Sequence, residues 1–264
     1  WNLQVEKAIL DDLADSDIGD LLSSPGGGVE RIVINFADPN TEVDGARSEP
    51  STKHPFLQFK EVRQAFAMAT DRETIANELY GPSGSATANL LVAPERFASP
   101  NTQEICKQAW ESLGIPTEIR AIDAGVFFSS DPGNPDTYSR FYADFQMDTN
   151  GPSSPYPISY LALYKSDNPD VDIAQKSNQW SGTNANRWMN EEYNDLYQQA
   201  LTELDPDRQA ELFIAMNDLL VDEVVDIALV HRASVAAASK KLKGFVRSPW
   251  SPDVHDIANW YFEE

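Results

Sequence analysis

Along residues 59–81, "FKEVRQAFAMATDRETIANELYG", apolar side chains recur at helical spacing, with Val62, Ala65, Phe66 and Ala69 on one face. Midway, Thr70-x-x-Glu73 has the form of a capping box. The pattern therefore predicts that one helix ends there and another begins, with Ile75, Ala76 and Leu79 inward and Gly81 as a left-handed terminal cap. A third helix follows Asn101-x-x-Glu104, with Ile105, Cys106, Ala109 and Leu113 inward and Gly114 closing it. Two more run over about 191–204 and 206–220, separated by Asp205-Pro206, an N-cap followed by proline in the first turn.

Strand patterns lie between these helices. "VERIVINF" (29–36), "IPTEIRAID" (115–123), "RFYADFQM" (140–147) and "VVDIALVH" (224–231) read as strands, and "ASVAAAS" (233–239) as a weaker one. Residues 1–23 carry Val5, Ile9, Leu10, Leu13 and Ile18 at spacings that predict one or two short helices, and Gly26-Gly27-Gly28 reads as a turn. Helices and strands alternate irregularly and without an internal repeat, which predicts a mixed α/β fold.

Composition narrows the function. The chain has 264 residues, 41% of them hydrophobic, and a formal net charge of -22. Nucleic acids and anionic membrane surfaces are recognised by basic faces, so this charge argues against both. No apolar run approaches the ~20 residues of a membrane span. The single cysteine, Cys106, sits at a core position of its helix and reads as a structural thiol. The chain starts at Trp1 without a signal peptide, which suggests a processed protein or an excised fragment.

Candidate chemistry is sparse. His54, His231 and His255 are scattered, and none has a second His or Cys at metal-ligand spacing. "DPNTEVDGARSE" (38–49) places oxygen donors as a calcium loop does, but its glycine stands at position 8 instead of 6. No nucleophile elbow or phosphate-cradling glycine loop is present, and no cofactor is implied. The loops "GPSSPYPISYL" (151–161) and "NQWSGTNANRWMNEEYNDL" (178–196) carry aromatics beside amides and hydroxyls, as concave binding sites do. The candidate ligand residues are Tyr156, Tyr160, Trp180 and Trp188, with Asp148 and Asn150 beside them. Trp188, Tyr193, Leu196 and Tyr197 also suit a helix anchored in its core.

The order of these motifs resembles the peptide/nickel family of extracellular solute-binding proteins. The match runs through Asn35-Phe36, Phe59, Val62-Arg63, Ala65-Phe66, Ala69, Asp71-Arg72 and Ile75. It continues through "LGIPTEI", "YADFQM", the 151–161 loop, the paired helices and "KLKGF". Two departures stand out. Some tens of residues that usually follow the Gly81 region are missing before the helix near 101, and Tyr156 stands before Pro157 where the family often has an acidic residue.

The resemblance implies a periplasmic-binding-protein-like, two-lobed (class II) α/β fold with a mixed sheet flanked by helices. Residues 31–230 would form the ligand-binding lobe, with 1–30 and 231–264 as hinge-proximal pieces of the first lobe, whose larger part is not in this chain. It implies a non-catalytic component of an ABC importer, a monomer that is periplasmic or lipid-anchored at the cell surface. That component would capture a peptide-like solute or an oligosaccharide and hand it to a permease. Asp71 and Arg72 would be structural. Two other readings are a secreted acidic α/β hydrolase and a calcium-stabilised interaction domain.

Overall fold

β-Branched and small residues dominate two long segments that carry the sheet. In the computed structural model, which describes residues 2–3, 19–81, 84–86, 100–248 and 250–263, five strands form this sheet. They are β1 (Asn2–Leu3), β2 (Gly19–Ile34), β3 (Gly84–Ala86), β4 (Phe145–Asn150) and β5 (Asp226–Ser239). β2 and β5 are the long central pair. β4 flanks β2, while β3 and β1 pair with β5, and every one of these pairings is antiparallel. A separate two-stranded ribbon joins β6 (Leu242–Lys243) to β7 (Tyr261–Phe262).

The helices are α1 (Lys60–Ala69), α2 (Arg72–Thr74), α3 (Pro100–Ser112), α4 (Ala124–Phe127), α5 (Ile158–Leu161), α6 (Pro169–Asp172), α7 (Glu191–Thr202) and α8 (Pro206–Asp222). The expected mixed α/β class with a helix-flanked sheet is therefore present. The predicted helix pair is there too, with the Asp205 carboxylate accepting from the Asp207 and Arg208 amides at the start of α8.

The restart after α1 is real, but its cap is shifted by one residue. Asp71 accepts from the Thr74 amide, whereas the Thr70 hydroxyl donates back to the Phe66 carbonyl and closes α1. The chain then widens into a π-helical turn over Ile75–Tyr80, ended by Gly81 at φ 52°. Arg72 fastens the restart to the sheet by donating to Ala228 O at 2.6 Å and Ala67 O at 2.7 Å. The residue buried beside Phe66 on α1 is Arg63, not Ala65, because its guanidinium satisfies the carbonyls of Leu57, Glu223 and Val224. In α3, Cys106 and Trp110 face inward and Leu113 is exposed. Gly114 closes that helix at φ 81°. Ile115 N bonds Trp110 O and Gly114 N bonds Glu111 O, the paired bonds of a Schellman cap.

Other expectations change. Gly26–Gly28 is no turn: it lies within β2, where the pairing with β5 shifts register between Ser24 and Gly28. A Cβ on Gly26 would come within 2.6 Å of Arg232 O, so only glycine admits this approach. The two strands expected at 224–231 and 233–239 are one, since no turn residue interrupts them. Residues 115–123 alternate in burial as a strand would, yet pair with nothing among the described residues, and Pro116 lacks a donor. The strand expected at 140–147 begins at Phe145 and runs to Asn150. Residues 19–23, expected to be helical, belong to β2. Most of the helices expected in 1–23, and of the loop after Gly81, lie outside the described residues.

The two faces of the sheet differ. One packs Ile32, Ile34, Ile227 and Leu229 against Phe66, Ile75, Cys106 and Trp110. Here Trp110 lies 4.9 Å from both Phe66 and Phe145, ring to ring, and such pairs add about 0.5–1.5 kcal/mol to area burial. The other face meets α5, α7 and α8 through Tyr160, Tyr164, Tyr193, Met216 and Leu220.

Candidate functional site

Period-2 alternation puts Arg31 of β2, Asp148 of β4 and Asp226 of β5 on that second face, all buried. Arg31 Nε donates to Asp148 at 2.9 Å, and its Nη1 donates to Asp226 and to the Tyr164 hydroxyl, each at 2.6 Å. The Tyr164 hydroxyl donates in turn to Asp226 at 2.8 Å. Burial alone would lower the Arg31 pKa, but Asp148, Tyr164, Tyr160 and Asp226 together hold it well above its ordinary value. Burial pushes the Asp148 carboxyl up from its ordinary range, with Arg31 opposing. Removing one member of such a pair leaves an uncompensated buried charge, which costs more than the pair contributes.

Two ends of the sheet extend from this centre. At the end where β2 finishes, three loops are fastened to each other by buried amides and one guanidinium. Asn35 donates to Ser48 Oγ, Phe141 O and Ala143 O. Asn186 donates to Ile34 O, Val225 O and Asp226. Arg187 reaches the carbonyls of Ser48, Ser139, Arg140 and Ala185, and burial lowers its pKa to about 10. Ser48, Phe141 and Arg187 adopt positive φ in these loops, so hydrogen bonding here holds backbone conformations that L-residues otherwise avoid. Gln179 and Trp180, also at positive φ, are held by their own turn through Gln179 N to Lys176 O and Trp180 N to Gln175 O.

The opposite end is built differently. Beyond the register shift, β2 and β5 continue as a ribbon to Gly19 and Ser239. Asn150 pairs with Val29 at its base, and Pro152 and Trp250 approach Gly27. Arg232 Nη1 donates to Thr149 Oγ1 at 3.3 Å. Trp250 and Tyr156 are exposed.

The six candidate ligand residues do not gather at one place. Asp148 and Tyr160 meet around Arg31, both buried, with the Tyr160 hydroxyl 3.3 Å from that of Tyr164. Trp188 is buried 5.3 Å from the Tyr193 ring, whose hydroxyl bonds Leu161 O. Tyr160 and Trp188 thus fill the core under α7, and neither ring offers an open face to a solute. Asn150 and Tyr156 stand at the ribbon end, where Tyr156 packs on Phe213 and accepts from Gln209. Trp180 stands at the other end, against Arg140. Reading residues by aromatic content missed Arg31, Asn186 and Arg187. A polar residue inside an otherwise apolar strand, as in "VERIVI", was the available signal for Arg31.

Chemistry by proton transfer has little to work with. His54 Nδ1 accepts from the Leu57 amide at 3.1 Å, which leaves Nε2 as the donor to Asp144 at 2.9 Å. Both ring nitrogens are thereby engaged, and among the described residues no hydroxyl or thiol bonds to either. Burial pushes the Cys106 thiol up to about 12, the opposite of an activated nucleophile. In the 38–49 loop, Asp38 accepts from Asn40 N and Thr41 Oγ1, and Glu49 from Lys176 N. Among the described residues, no group of three or more His, Cys, Asp or Glu is placed to hold a metal ion, and no helix is long and apolar enough to cross a membrane.

No protein-family model matches the sequence, and no curated protein matches it. Solved structures do match. The chain is similar to HbpA2 from Haemophilus parasuis, at 17% identity and TM-score 0.70, over 97% of this chain and 52% of that one. It is similar to the ABC transporter-associated periplasmic binding protein DppA from Helicobacter pylori, in complex with the peptide STSA, at 11% identity and TM-score 0.73, over 97% and 51%. A third is NikZ from Campylobacter jejuni in complex with Ni(L-His), at 15% identity and TM-score 0.68, over 98% and 56%. The chain thus has the fold that these proteins share over this region, and spans about half their length.

Proposed function

We propose that this chain forms the ligand-binding lobe of a solute-binding protein that serves an ABC importer and captures an oligopeptide or similar solute. The observation that supports this most is the fold match over 97% of the chain with a peptide-bound periplasmic binding protein. The engaged state of His54 and the buried, unreactive Cys106 favour a binding role over the hydrolase reading. In this proposal residues 31–230 are the lobe, and 1–30 and 231–264, which include the ribbon flanking Gly26–Gly28, are the hinge-proximal pieces of the first lobe. The solute site is the ribbon end, where Asn150 and Tyr156 present an amide and a ring, with Asp148 and Tyr160 behind them. Closure around the solute would work by differential affinity, because contacts from two lobes exist together only in the closed state. The protein would act as a monomer outside the cytoplasm and deliver its solute to a permease.

Equilibrium dialysis of the chain against a mixed pool of di- to pentapeptides, read by mass spectrometry, tests the proposal. Weak retention of intact peptides is expected, reduced by Asn150→Ala and by Tyr156→Ala. Cleavage of the pool, or retention unchanged in both variants, contradicts it.

A further inference from the structure

At the loop end of the sheet, two arginines flank one tyrosine. The Arg47 guanidinium lies 4.4 Å from the Tyr142 ring centroid and that of Arg140 lies 5.6 Å from it. Arg140 also stacks on Trp180 at 3.3 Å. Its Nη1 donates to the Tyr142 hydroxyl at 2.8 Å and its Nη2 to Pro132 O, but its Nε, although enclosed, meets no acceptor among the described residues. The indole Nε1 of Trp180 is likewise enclosed and without an acceptor. Among the described residues, the Arg47 side chain makes no hydrogen bond, its backbone amide alone bonding Tyr142 Oη, and neither arginine forms an ion pair. Three carboxylates of the surrounding loops are engaged elsewhere: Glu49 with Lys176 N, Asp144 with His54 and Asp136 with Arg120.

In a chain of net charge -22, two arginines without an ion-pair partner among the described residues, next to an unpartnered indole donor, need a reason. The Tyr142 ring supports the Arg47 guanidinium from one side, and a guanidinium fork matches a planar oxyanion bidentately. Buried donors without acceptors cost free energy, which an acceptor admitted by a shift of the Trp180 or Arg140 side chain would return. We infer that Arg47, Arg140 and Trp180 form a carboxylate-binding site at the loop end of the sheet, separate from the solute site at the ribbon end. The inference does not depend on the transport reading. The carboxylate belongs either to a small solute or to an acidic side chain of a protein segment.

The test is an NMR titration of the full chain, following the Trp180 indole resonance (assigned with Trp180→Phe) as sodium acetate replaces sodium chloride at constant ionic strength. A saturable shift is expected, weakened at least about tenfold in Arg47→Gln, the scale of one charge-assisted pair. Arg47→Lys keeps the charge and loses the fork, so it should also weaken binding; it provides the comparison if Arg47→Gln melts differently from wild type. A blocked glutamate tripeptide that binds tighter than acetate identifies an acidic segment as the source, and equal binding identifies a small solute. No saturable shift, an unchanged shift in both Arg47 variants, or sulfate binding as tightly as acetate overturns the inference.

Discussion

The two ends of the central sheet are built on opposite principles. At the loop end, Asn35, Asn186 and Arg187 spend most of their donors on backbone carbonyls, and three non-glycine residues at positive φ, Ser48, Phe141 and Arg187, are held by that network. At the ribbon end the chain has a glycine-rich register shift and an exposed tryptophan and tyrosine, and the side chains of Arg232 and Arg247 tie it to Thr149 and Ser234. Strained backbone persists only where its surroundings over-determine it. A glycine-rich register shift, in contrast, lets a two-stranded ribbon bend. The difference assigns rigidity to one end and adaptability to the other.

Breaking the rigid end should have the largest effect. Arg187→Met leaves four carbonyls without their donor and is expected to cost about 3–4 kcal/mol in urea unfolding; a cost below about 1 kcal/mol would show that the loops are held by something else. Gly182→Ala comes next, because its Cβ would sit 2.3 Å from Ile173 C and 2.5 Å from Ala174 N. The backbone must shift, at about 2–3 kcal/mol. Gly26→Ala meets Arg232 O at 2.6 Å in the ribbon, where the chain can adjust, so about 1–2 kcal/mol is expected. Peptide retention should fall in Gly26→Ala, and should persist in Gly182→Ala at temperatures where that variant remains folded. The reverse order of the two glycine costs would erase the distinction between the ends.

The smallest effect concerns pH. Burial lowers the His231 pKa below its ordinary 6.5. The unfolded chain then binds more protons than the folded one in the window just below 6.5, so stability is full above that value and declines as pH falls through it. His231→Gln should flatten the melting temperature across this window. An unchanged slope would place the pH response on another group.

Much of the fold was readable because its signals are local. Asp205-Pro206 and Gly114 each specify backbone geometry within a few residues, and both formed as expected. The Thr70–Glu73 signal marked the right place but assigned the cap to Thr70, since sequence alone cannot tell which of two adjacent oxygens turns toward the amide. Residues 115–123 show the limit of period-2 reading: alternation reports that one face is covered and the other exposed, not the presence of a partner strand. Arg31, Asp148 and Asp226 come from three strands far apart in the chain, and only strand register brings them together. The candidate aromatics split for the same reason. Ring content marked Tyr160, Trp188, Trp180 and Tyr156 alike, whereas burial sends two to the core, one to the loop end and one to the ribbon end.

The central claim is that the ribbon end takes the solute. Amide chemical-shift mapping during titration with the peptide pool tests it most directly. Shifts are expected to concentrate at Val29, Thr149, Asn150, Tyr156, Arg232 and Trp250. Shifts confined to the loops around Ser48, Phe141 and Arg187, or no shifts at all, would contradict it.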